Sequence, residues 1–243
     1  MGLGIKTKAF ALRDWVFKYR LPPLRHLLGD TSEHGELGLL ARLAAGAPNR
    51  FLVDVGANDG ITVSNSYGLI RRGWEGILVE PYPPCFQQLQ QRYGSNPKIR
   101  LVNSACGREA GELDLFLGTD GTKAGYATLC TDDSEWFKAT RTGESVKVPV
   151  APLTVILEKH GCPPRFAVLS VDTEGYDLQV LESLDFSRFR PEVVITEDDP
   201  ILLPPPPELK TDERKYALLQ REGYKLVKTY SRNSIWQLAG GSR

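Results

Sequence analysis

Phe51-Leu52-Val53-Asp54-Val55-Gly56-Ala57-Asn58-Asp59-Gly60 joins a short apolar run to a turn with glycines four residues apart. An apolar run of this length, closed by glycine and followed by helical periodicity, reads as a buried strand, a tight turn and a helix. The same alternation returns downstream. Gly76-Ile77-Leu78-Val79-Glu80 is a second strand and Cys85 to Tyr93 a second helix, followed by Ile99 to Asn103 as a third strand. Phe166 to Val171 then leads into a helix through Leu184, and Glu192 to Thr196 follows as a fifth strand. Strands alternating with helices predict an α/β fold with a mostly parallel central sheet covered by helices on both faces. The helix after the first turn is expected to run to about Arg72.

Two stretches break the pattern. Glu112 to Leu117 and Ser145 to Val150 alternate with period two, which predicts an antiparallel insertion. The loop between them, Thr119 to Leu129, is rich in glycine and threonine, the composition of a lid or of a plain connector. The chain then closes on a helix, Asp212 to Glu222, and two strands, Lys225 to Tyr230 and Ser234 to Leu238, joined through Arg232-Asn233. Pro204 to Pro207 reads as a stiff connector, and no internal repeat is present.

At 243 residues the chain suits one domain over 31–243, preceded by an amphipathic helical segment over 1–30. That segment sets Ile5, Ala9, Leu12 and Val16 at helical spacing among lysines and arginines, a pattern that suits packing on its own domain, a homodimer interface or, less commonly, peripheral membrane contact. Thirty basic residues balance thirty acidic ones, so no nucleic-acid partner is expected. Four cysteines without a C-x-x-C pair argue against a zinc ribbon or a disulfide framework. With no apolar stretch of spanning length and no signal-peptide pattern, the expected location is cytoplasmic.

In an open parallel sheet, ligands bind at the carboxyl ends of the strands, so the Gly56 turn sits where a cofactor would. Glu80, closing the second strand, is placed to accept hydrogen bonds from ribose hydroxyls. Asn58 and Ile61 occupy the second and third glycine positions of a dinucleotide fingerprint, which speaks against a nicotinamide-dependent oxidoreductase. No P-loop pattern is present either. The turn instead fits a cofactor with a ribose and an amino-acid tail but no phosphates, as S-adenosylmethionine is.

Asp172-Thr173-Glu174-Gly175 places two carboxylates at the end of the fourth large strand, able to hold a substrate hydroxyl or take its proton. The alternative has Asp172 capping the next helix with Glu174 in its first turn. Glu197-Asp198-Asp199 adds carboxylates at the same edge, either as part of an oxygen-rich divalent-metal site or as a solvated turn before Pro200. Of the histidines, His34 lies in a polar motif and His160 ends a helix.

These segments together resemble the FkbM-type methyltransferases. The resemblance rests on the first turn, on Ser64-Asn65-Ser66-Tyr67, on Gly73-Trp74-Glu75-Gly76 leading to Glu80-Pro81, and on Ser170 to Asp177. Ser32-Glu33-His34-Gly35-Glu36 is similar to the family's polar motif, with Glu33 where glutamine is usual. The resemblance implies a Rossmann-like class I methyltransferase fold and O-methylation of a sugar or other small molecule. The candidate site follows from both readings. Asp54, Gly56, Asn58, Gly60 and Glu80 would hold the cofactor, with Ser104 near its adenine. Asp172 and Glu174 would serve the acceptor hydroxyl, with His34, Tyr176 and Glu197 lining the substrate side. A non-catalytic binding relative would be expected to carry a damaged cofactor turn, and this turn is intact.

Overall fold

The structure is a computed structural model that describes residues 29–118, 127–129, 141–198, 211–230 and 232–240. The expected N-terminal helix through Arg20, most of the Thr119–Leu129 loop, Asp199 and the Pro204–Pro207 connector lie outside the described residues.

The strands of the main sheet are β1 (Phe51–Val55), β2 (Glu75–Val79), β3 (Ile99–Val102), β7 (Arg165–Val171), β8 (Arg190–Glu197), β9 (Tyr224–Thr229) and β10 (Asn233–Leu238). They lie in the order β3-β2-β1-β7-β8-β10-β9. The first five run parallel, with Val53 opposite Ile77 and Leu169, while β10 enters antiparallel between β8 and β9. All five residues of β1 are buried because both faces of the sheet are covered. Phe51, Val53 and Val55 pack on one face with α4 (Leu153–Lys159), α5 (Asp177–Glu182) and α6 (Thr211–Arg221). Leu52 packs on the other with α1 (Leu37–Leu43), α2 (Tyr67–Ile70) and α3 (Pro83–Tyr93). This is the expected Rossmann-like α/β architecture, and its strand order reverses between β1 and β7, opening a crevice above their carboxyl ends.

The period-two segments form a second sheet, as expected. β5 (Gly111–Gly118) pairs antiparallel with β6 (Arg141–Ala151), and β4 (Ala105–Cys106) joins β6 in parallel. Its apolar face, Ala105, Leu115, Val148 and Val150, packs against Tyr82 and Tyr176 at the rim of the crevice.

Two helices differ from expectation. The helix after the first turn is only Tyr67–Ile70, because residues 58–66 are committed to turns. Asp59 accepts the backbone N–H groups of Ile61 and Thr62, Val63 adopts φ 51°, and Ser64 Oγ accepts the N–H of Tyr67 at 3.0 Å. The helix after β7 begins at Asp177, with Glu174 at φ 51° and Gly175 at φ 89°. Left-handed backbone at two successive residues excludes the reading in which Asp172 caps that helix. No helix among the described residues is long and apolar enough to cross a membrane.

Candidate active site

Gly56, at φ +85°, turns the chain immediately above β1. A Cβ there would lie 1.8 Å from the backbone oxygen of Asp172, so the bare glycine serves the approach of the β7 end as much as that of any ligand. Gly60, at φ +76°, is equally enclosed, since its Cβ would meet Leu89 and Tyr93 of α3. Tyr93 donates its hydroxyl to Gly60 O at 2.8 Å, and Asn58 (φ 51°) accepts the thiol of Cys85 at 3.1 Å. The turn is therefore held by the helix that follows β2.

Glu80 ties the two strand ends together. One carboxylate oxygen accepts Asn58 N–H at 2.8 Å and the other Tyr82 N–H at 2.7 Å. Burial nevertheless raises its pKa to about 7, the two backbone donors only partly opposing it and Asp54 adding to it. Each oxygen still has a lone pair with which to accept a ligand hydroxyl.

Asp54 is buried, and burial raises its pKa against hydrogen bonds from Ser66 and Ser170. Ser170 spends its one hydroxyl proton on Asp54, so it accepts from Asn65 Nδ2 at 3.4 Å. The amide is thereby oriented, and Asn65 Oδ1 is left buried with no hydrogen-bond partner. Ser104 behaves differently: its hydroxyl is directed to Ala105 O (2.8 Å) and Pro149 O (3.1 Å), acceptors on β4 and β6 of the small sheet.

On the β7–β8 side, carboxylate oxygens of Asp172, Glu174 and Glu197 lie within 4.8 Å of one another. Burial comes first in raising all three pKa values well above the usual range. The neighbouring carboxylates reinforce it, while Arg232 opposes it. The left-handed backbone at Glu174 costs about 1–3 kcal/mol, and it turns this side chain back toward its two partners. Asp177 fixes the frame: it accepts Thr173 N–H (2.9 Å) and Oγ1 (2.6 Å) on one oxygen and Glu197 N–H (2.9 Å) on the other. Its own pKa rises to about 6, burial outweighing Lys215 and these bonds.

The acidic run after β8 is split. Glu197 joins the cluster, while Asp198 turns away to Tyr216 and Ser234 and pairs with Lys215. Both are buried, which corrects the reading of a solvated acidic turn. Tyr176 packs between the main core and the small sheet. His34 stacks on Tyr230 at 5.6 Å with its Nε2 3.6 Å from Glu33.

Arg232, Asp177, Asn65 and Ser66 were not singled out from the sequence as site residues. Arg232 had a findable signal. A β10 strand antiparallel to β8 must start where β8 ends, so the β9–β10 turn is delivered to the carboxyl edge of the sheet. Asn233 stands opposite Glu197 in that register, and Arg232 pairs with Glu197 at 2.6 Å.

Residues 54–226 match the model of the methyltransferase FkbM domain. No curated protein is matched. Among solved structures, the chain is similar to methyltransferase FkbM from Methylobacillus flagellatus KT, with 16% identity over 76% of this chain and 42% of that one and a TM-score of 0.47. It is also similar to the "putative caffeoyl-CoA O-methyltransferase" of Staphylococcus aureus, with 10% identity, 94% and 91% coverage and a TM-score of 0.50. The chain thus spans about two fifths of the Methylobacillus chain, and at these identities the likeness concerns the fold alone.

Proposed function

Because the chain belongs to the FkbM methyltransferase family, we propose that it transfers a methyl group from S-adenosylmethionine to a hydroxyl of a small molecule or glycan. The nicotinamide alternative gives way to the family match. The residues fit this cofactor by the chemistry of their free valences. Asp54, the unpartnered Asn65 Oδ1 and the remaining lone pairs of Glu80 form an acceptor-rich lining, suited to a ligand that brings an ammonium and ribose hydroxyls as donors. Bound S-adenosylmethionine supplies an electrophilic methyl on a sulfonium.

The observation that carries the O-methyl reading is the cluster of Asp172, Glu174 and Glu197 beside that lining. An ordinary carboxylate is a poor base for an alcohol. Carboxyls pushed upward by burial and by each other hold protons more tightly and so accept one more readily. Glu197 is engaged by Arg232, which leaves Asp172 and Glu174 to orient the acceptor hydroxyl and take its proton. As a coupled set they titrate together, sharing protons among three groups.

The test is incubation with methyl-labelled S-adenosylmethionine and a panel of hydroxyl, amine and carboxyl acceptors. Label in a base-stable ether is the expected product. Transfer only to amines, or only as base-labile esters, overturns the reading.

A further inference from the structure

Three carboxylates within 4.8 Å of one another, Glu197 buried and Asp172 and Glu174 half-buried, need a cation or shared protons, and a divalent metal is one common source of that charge. A positive charge of the chain's own, Arg232, lies against this cluster at Glu197. Tyr230 N–H donates to Asn233 O and Asp198 N–H to Arg232 O, both at 2.6 Å, which pins the β9–β10 turn onto the end of β8. From that turn Arg232 reaches Glu197 at 2.6 Å, and its Nε lies 3.9 Å from Glu33. Its charge bears on Asp172 and Glu174 as well. Arg232 is itself half-buried, and its Nε has no hydrogen-bond acceptor. The second side of the turn is held by the polar motif ahead of the fold: Asn233 Nδ2 donates to the buried Glu36 at 2.8 Å, and Tyr230 stacks on His34.

The geometry points to Arg232 as the positioning residue of the transfer site: its guanidinium occupies the cation role that a divalent metal would otherwise take among Asp172, Glu174 and Glu197. A guanidinium suits the task because it is permanently charged and presents several donors in a fixed plane. It fastens Glu197 to the hairpin, with Glu33 close by, while leaving Asp172 and Glu174 facing the acceptor. This inference rests on the methyl-transfer reading for its catalytic meaning, but the occupancy of the cluster can be tested without turnover.

Mn²⁺ uptake is measured by electron paramagnetic resonance on wild type, Arg232→Lys and Arg232→Met, with thermal melts to establish folding and S-adenosylhomocysteine affinity measured alongside. Wild type and Arg232→Lys are expected to leave Mn²⁺ free, and Arg232→Met to bind it at least about tenfold more tightly than wild type, its oxygen ligands no longer spoken for. Arg232→Gln carries the same comparison should the methionine variant not fold. Mn²⁺ uptake by wild type as strong as by the variants overturns the inference, as does a folded Arg232→Met or Arg232→Gln that binds no Mn²⁺. Absence of S-adenosylhomocysteine binding by wild type would instead sink the methyltransferase reading and leave the Mn²⁺ comparison to decide the role of Arg232.

Discussion

The turn above β1 and the carboxylate cluster above β7 and β8 sit on one edge of one sheet and are built on opposite plans. The turn is contiguous: Asp54 to Gly60 are neighbours in sequence, and Glu80 ties them to β2 through backbone donors. The cluster is assembled from residues 172, 174, 197, 232 and 33, and like charges press on it from within. The turn is stabilised by satisfied hydrogen bonds and close packing. The cluster stores repulsion, the arrangement expected of a site whose groups must exchange a proton.

The largest effect should come where the two regions touch. Gly56→Ala would force a Cβ against Asp172 O in a left-handed conformation, at a cost of about 4 kcal/mol or more, read as a collapse of the urea midpoint. A folded Gly56→Ala of near-normal stability would separate the two regions mechanically. Next, Asp172→Asn should lower kcat about 10²–10⁴-fold. The same change relieves repulsion, so the melting temperature should hold or rise. A variant that loses stability instead would show that the cluster is structural.

Glu80→Ala should weaken S-adenosylhomocysteine binding by about 1.5–3 kcal/mol in calorimetry, through loss of a charge-assisted bond. Unchanged affinity would make Glu80 a strut between strands and nothing more. The smallest effect is a slope. The folded pKa of Glu80, about 7, lies above its ordinary 4.5, so burying it costs nothing at low pH and most above pH 7. Its contribution is thus fully present below the ordinary value and is lost as pH rises through the folded one. Between about pH 5 and pH 8 this loss amounts to about 2–3 kcal/mol, and Glu80→Gln should abolish that fall of urea-unfolding stability with pH in the ligand-free protein.

The contrast also explains what could be read from the sequence. Strand β1 and its turn were legible because a fully buried strand is a local apolar run and a tight turn needs local glycine. Gly56 and Gly60, expected to hold the cofactor, also answer a packing demand that no local pattern shows: Asp172 O, Leu89 and Tyr93 fill the space a Cβ would need. The helix after the turn was overestimated because Asp59 and Ser64 capture backbone donors in turns, a competition that apolar periodicity does not register. Asp172, Glu174 and Glu197 were named from their strand ends. Arg232 escaped because its partners lie 35 and 199 positions away along the chain, and only the antiparallel entry of β10 brings it home.

The bond between Asn233 and Glu36 spans 197 positions, and it bears on the order in which the protein comes alive during synthesis. Residues 51–102, carrying the Gly56 turn and Glu80, leave the ribosome more than a hundred residues before β10 does. At about 5–20 residues per second, several seconds separate the synthesis of these residues from that of the hairpin that carries Arg232. The cluster is therefore complete only once β10 has paired with β8 and brought Arg232 to Glu197.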